Sequence, residues 1–265
     1  MKLIDVGVNL THESFAADLP QVLERAAAAG VGTMIVTGTS IAATEAALQL
    51  HEQHPVQLYA TAGIHPHHAA DLDAAALAQL TALARRPGIV AIGECGLDYF
   101  RNYSPRAAQL QAFRQQLELA VTTGLPVFLH QRDAHDDFIA VLRDYRPQLT
   151  DAIAHCFTGA ARELDDCLAL ELAIGMTGWI CDERRGEHLK QLVGRIPLHR
   201  LMLETDAPYL LPRSLKPKPA GRRNEPAWLT EIANTVAVAR GESVETLAAG
   251  TTAAAEAFFR LKRLD

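Results

Sequence analysis

A single (β/α)8 barrel domain over residues 1–265 is the fold this sequence predicts, and three observations predict it. About eight short apolar runs rich in β-branched residues recur along the chain, helix-forming stretches alternate with them, and metal-competent side chains stand where several runs end. A chain of 265 residues with 49% hydrophobic and 21% charged content can bury one large core. Continuous apolar strands, each followed by a helix, imply a parallel sheet covered on both faces. A doubly wound open sheet is the alternative.

The first run, Leu3 to Val8, leads into Asn9 and then a helical stretch from Leu19 to Ala29, which Gly30 stops. The second, Met34 to Thr37, precedes a helix over Thr44 to Gln53. Leu58 to Ala62 runs into Gly63-Ile64-His65-Pro66-His67-His68 and a helix over Ala74 to Arg85, closed by Pro87-Gly88. Val90 to Gly93 runs into Glu94-Cys95-Gly96-Leu97-Asp98, and the helix Ala107 to Thr123 ends at Gly124. Val127 to Leu129 leads to His130-Gln131-Arg132-Asp133 and a helix over His135 to Tyr145. Ala152 to Ala154 ends in His155-Cys156-Phe157, Ala173 to Met176 follows, and Leu201 to Leu203 ends in Glu204-Thr205-Asp206. The segment Pro208 to Pro226 carries five prolines among Arg213, Lys216, Lys218, Arg222 and Arg223, so it predicts a long basic loop.

A net charge of −6 and a pI near 6.0 argue against a protein that grips polyanions with its whole surface. Any nucleic-acid contact is expected to be local. Cys95, Cys156, Cys167 and Cys181 show neither zinc-knuckle spacing nor disulfide density, which fits a reducing cytosol. With no export signal and no apolar run long enough for a bilayer, the expectation is a cytoplasmic monomer without a membrane partner.

In barrels of this class the chemistry gathers at the C-terminal ends of strands. Glu94, His130, His155 and Asp206 stand there, and imidazole with carboxylate is a ligand set for a divalent ion. The bland alternatives are helix caps for Glu94 and Asp206 and a backbone-bonded His155. Arg132, Arg185 and Arg223 follow strand ends on loops where phosphate would arrive. Of the aromatic residues beyond the strands, Tyr99 and Phe100 are the better candidates to stack on bases, whereas Phe157 and Tyr209 read as a hydrophobic lid.

Six segments, Gly63 to His67, Gly93 to Tyr99, His130 to Arg132, His155 to Gly159, Glu204 to Tyr209 and Arg223 to Pro226, resemble the motifs of the TatD family of metal-dependent deoxyribonucleases, in order and over essentially the whole chain. The resemblance implies a barrel hydrolase of the amidohydrolase type acting on DNA and RNA, a 3′-5′ exonuclease on single strands serving DNA repair or turnover. It implies metal ligands at Glu94, His130, His155 and Asp206, with Glu94 bridging. It further implies a phosphate-contacting role for His65 and places Asn224 in the substrate-binding Arg223-Asn224 segment. The chain departs from most of the family at Gly7-Val8-Asn9, where a His-x-His pair is usual, and resembles the subgroup that lacks it. Fewer imidazoles shift the expected ion toward Mg²⁺, with Mn²⁺ or Zn²⁺ as alternatives. Asp206 and Glu94 are the candidate catalytic carboxylates, Asp206 to orient the attacking water and take its proton. A small-molecule amidohydrolase or esterase, and a non-catalytic binding barrel, are the other readings of the same residues.

Overall fold

The computed structural model describes residues 1–219 and 221–261. Eight strands form one sheet in the order β1 to β8, namely β1 (Leu3–Val8), β2 (Val31–Val36), β3 (Leu58–Ala62), β4 (Ile89–Asp98), β5 (Val127–Arg132), β6 (Ala152–Ala154), β7 (Ala173–Met176) and β8 (Leu201–Leu203). The helices are α1 (Leu19–Ala28), α2 (Ile41–Gln53), α3 (Ala74–Leu83), α4 (Arg106–Thr123), α5 (His135–Tyr145), α6 (Ala161–Ala169), α7 (Glu187–Leu192), α8 (Leu229–Arg240) and α9 (Val244–Phe258). This alternation and the parallel pairing are those of the (β/α)8 class.

The chain divides into two compact units. The first holds residues 1–36, 156–164 and those from Ala173 on, and within it the two ends of the sheet meet. Asp206 donates its backbone N–H to Gly7 O at 2.8 Å, and Asn9 donates to Ala207 O at 2.8 Å. An open, doubly wound sheet would leave β1 and β8 apart, so these bonds remove that alternative. The second unit holds residues 37–155 and 165–172, with β3 to β6 and helices α2 to α5. Its core includes Phe113, stacked on Phe138 with ring centroids 5.6 Å apart, and buried Phe128 and Leu117.

Local chemistry explains the boundaries. Ser40 caps α2 by accepting from Ala43 N, Asp73 caps α3 by accepting from Ala76 N, and α4 ends at Gly124 with φ of 68°. Five strands have the expected bounds. The second begins earlier, at Val31, while β4 runs on to Asp98 instead of Gly93 and β5 to Arg132 instead of Leu129. Charged side chains at these strand ends break the apolar signal, although the backbone remains paired up to Asp98 and Arg132. The stretch from Pro208 to Pro226 contains no helix or strand up to its final proline among the described residues. No helix is long and apolar enough to cross a membrane among the described residues.

Candidate metal centre

Strand β4 carries glycines on both sides of Glu94. Gly93 has φ of +134°, and a Cβ there would lie 2.1 Å from Phe128 O; at Gly96, with φ of +139°, it would lie 2.0 Å from His130 O. Only a residue without a side chain lets β4 approach β5 so closely. The approach delivers Glu94 to His130, whose Nδ1 lies 2.9 Å from Glu94 Oε1. Alternation along the strands then puts Asp98 on the face of Glu94, and Arg132 on the face of His130.

Two further imidazoles reach the same carboxylate oxygen: His65 Nε2 at 3.4 Å, from the loop after β3, and His155 Nε2 at 3.3 Å, from the end of β6. Three imidazoles thus converge on Glu94 Oε1. Ligand atoms of His65, Glu94 and His130 all lie within 4.8 Å of one another, the spacing of groups that hold one ion. His130 Nε2 is buried with no well-formed hydrogen bond, and its nearest acid is Asp98 Oδ2 at 3.5 Å.

The charges suit a cation. Burial pushes the Glu94 carboxyl up, but His65, His155 and His130 outweigh it and hold the group well below the usual range, so it is ionised. Burial also pulls the His65 imidazole down to about 4, leaving it neutral with a lone pair to donate. Around Asp98 burial is again opposed, by His130, the Arg101 amide and His67, and that carboxyl is held far below its ordinary value. His67 Nε2 sits 2.8 Å from Asp98 Oδ2, and Arg101 N donates to Oδ1 at 2.8 Å. Asp98 and His67 are functional candidates that sequence reasoning left out. Their signal was their place inside the two motifs that supplied Glu94 and His65.

The other expected residues belong to the first unit. Asn9 Nδ2 donates to Asp206 Oδ1 at 3.0 Å, so this asparagine holds a carboxylate through its amide N–H. Asp206 adopts a left-handed φ of 52°, which aspartate tolerates better than most residues. Asn224 is buried and donates to Thr205 O at 3.0 Å, bracing the backbone that presents Asp206. Arg223 forms two 2.7 Å bonds to Asp18, and Arg185 pairs with Asp182 at 3.1 Å while lying over Trp179. Both guanidinium groups are engaged by carboxylates. In the second unit, Arg132 lies 3.8 Å from the centroid of the Phe100 ring. Tyr99 is tied down, its hydroxyl donating to Asp137 and its ring under Arg106, whereas Tyr103 is exposed. Cys95 packs in the core, as its position opposite Glu94 on the strand predicts.

A sequence model of the family described as TatD related DNase matches residues 4–260. The chain is 52% identical over 259 residues to an Erwinia amylovora protein named 3′-5′ ssDNA/RNA exonuclease TatD, covering 98% of this chain and all of that protein. It is similar to the crystal structure of a TatD-family hydrolase from Entamoeba histolytica, with a TM-score of 0.90, 25% identity and 99% coverage of both chains. A TatD homologue from Escherichia coli K12 aligns with a TM-score of 0.89 at 30% identity, covering 98% of each chain.

Proposed function

The chain belongs to the TatD-related DNase family, and from that membership together with the Glu94 cluster we propose that it degrades single-stranded DNA and RNA from the 3′ end. It is a hydrolase that uses a divalent metal. The observation that carries the reading is the convergence of three imidazoles on one buried carboxylate. Outside a metal site, burying such a group is expensive.

Glu94, His130 and His155 would hold the ion, with Asp206 as a fourth ligand that rests on the sequence. His65 would serve either the ion or the substrate phosphate. A bound divalent cation neutralises charge on phosphoryl oxygens and makes water a stronger nucleophile at neutral pH. The residues supply the rest. Asp98, 3.5 Å from the outer nitrogen of His130, would help orient the ring. Asp206, oriented by Asn9 through Oδ1, is the proton acceptor for the attacking water. The imidazoles around Glu94 hold its carboxyl well below the usual range against the opposing effect of burial, so it would stabilise positive charge in the site.

Magnesium remains the proposed ion for turnover, supported by the missing histidine pair at Asn9. The imidazole donors around Glu94 favour Mn²⁺ or Zn²⁺ in affinity, so metal replacement after EDTA treatment is the discriminating assay. Arg185, Arg223 and Asn224 are retained as proposed substrate contacts on the sequence alone. Their ion pairs and backbone bond support a role in shaping the loops. A cytoplasmic monomer of one functional domain completes the proposal; the spacing of the four cysteines, which fits neither a zinc knuckle nor a disulfide framework, supports a reducing compartment.

The test is Glu94→Gln, assayed on a 3′-labelled single strand with Mg²⁺ and with Mn²⁺. Turnover should fall by at least a hundredfold while the circular-dichroism spectrum and melting temperature stay native. Near-native turnover would remove Glu94 from the chemistry. If the wild-type chain cleaves a panel of esters and amides but no oligonucleotide, the nuclease reading is wrong.

A further inference from the structure

Phe100 and Tyr103, on the loop between β4 and α4, break the usual economy of a folded surface: their exposures are 54% and 66%, although both rings are large and apolar. They stand beside the metal cluster. The Tyr103 ring meets His67 edge-on at 4.8 Å, and His67 bonds Asp98, which lies 3.5 Å from the ligand histidine His130. Phe100 carries the Arg132 guanidinium against its face at 3.8 Å, with Arg101 at 5.7 Å. Arg132 pairs with Asp98 across β4 and β5 and lies two residues beyond His130, about 7 Å further out at strand rise.

We propose that Phe100 and Tyr103 form a stacking platform for the bases next to the scissile phosphate, with Arg132 and Arg101 on the strand's phosphates. This deepens the nuclease reading and rests on it. The chemistry fits a single strand and not a duplex. Aromatic faces can take any base, but only one unpaired from its partner strand, and interleaved guanidinium groups supply the charge that follows a phosphate backbone. Arg132 already lies on Phe100, so its fork is held in place before substrate arrives. The overall net charge of −6 makes such a local basic and aromatic patch the place where a polyanion can be held.

The experiment measures binding without turnover, using the full chain in EDTA and short oligonucleotides with 2-aminopurine as the 3′-terminal base. Wild type should quench the 2-aminopurine on binding. Phe100→Leu and Tyr103→Leu, which keep apolar bulk, should each weaken affinity by about tenfold and lose part of the quenching. Their salt dependence should match wild type, because stacking releases no counterions, while Arg132→Ala should lower the salt slope by about one. A strand with an abasic 3′ end should bind wild type and the leucine variants alike. Unchanged affinity and quenching in both leucine variants, with wild type still degrading the strand, would overturn the platform and leave the nuclease reading standing. Failure of wild type to bind or degrade any strand would overturn both.

Discussion

Asp98 shows how one residue can matter without touching a metal. Its Oδ1 is spent on the Arg101 amide, and its Oδ2 faces two imidazoles, His67 at 2.8 Å and His130 at 3.5 Å. Removing the charge should free the His130 ring and lower its basicity as a ligand. Asp98→Asn is expected to reduce affinity for Mn²⁺ by about 10- to 100-fold, read by titration calorimetry, with turnover recoverable at high metal concentration. Wild-type affinity in that variant would leave Asp98 as a brace for its loop. The reason sequence reasoning passed over Asp98 is physical. Reading β4 as ending at Gly93 puts residue 98 in a loop of unknown direction, and only a strand continuing through Gly96 returns it to the face of Glu94. Glu94, His130 and His155 needed no such knowledge, because each stands at or directly after an apolar run.

Among the elements, β4 carries the tightest constraint. Gly93→Ala would bring a methyl group onto the Phe128 carbonyl at a φ that L residues rarely adopt. The variant is expected to lose about 2 kcal/mol or more of stability, seen as a clear fall in melting temperature, together with weaker metal binding because Glu94 shifts with the strand. A surface glycine such as Gly194, with nothing near its missing Cβ, should accept alanine with little change. The proline-rich stretch is secured differently. Arg223 pairs with Asp18, Asp18 with Arg25, and Arg25 with Glu225, tying the two sides of Asn224 to the N-cap and the last turn of α1. These partners are partly solvated, so Arg223→Ala should cost under about 1 kcal/mol in global stability while speeding proteolysis within 208–226. Equal cleavage rates would show that the pairs do not restrain the segment. That Pro208 to Pro226 is a loop was legible from its prolines; that its Arg223 and Arg213 answer to Asp18 and Glu183 was not, since those acids are remote in sequence.

At the scale of the molecule, the buried acid Asp5 links stability to pH. Burial, opposed by bonds from Thr205 and Gly7, raises its carboxyl from 3.8 to about 7. A group whose pKa is raised on folding stabilises fully below its unfolded value and loses that contribution as pH rises through the folded one. Melting temperature should therefore decline between pH 4 and pH 8 by an amount that Asp5→Asn removes; parallel curves for the two proteins would refute the link. Asp5 has a second consequence, in biosynthesis. Thr205, which satisfies both of its oxygens, lies 200 residues further on, and Lys2 meets its partners Thr252 and Glu256 later still. At roughly 5–20 residues per second, a ribosome leaves Asp5 without Thr205 for about 10–40 s. Throughout that interval the first strand is an apolar ribbon with an unpaired edge, so ribosome-bound chains stalled before residue 200 should be captured by chaperones and released once β8 and α9 have emerged.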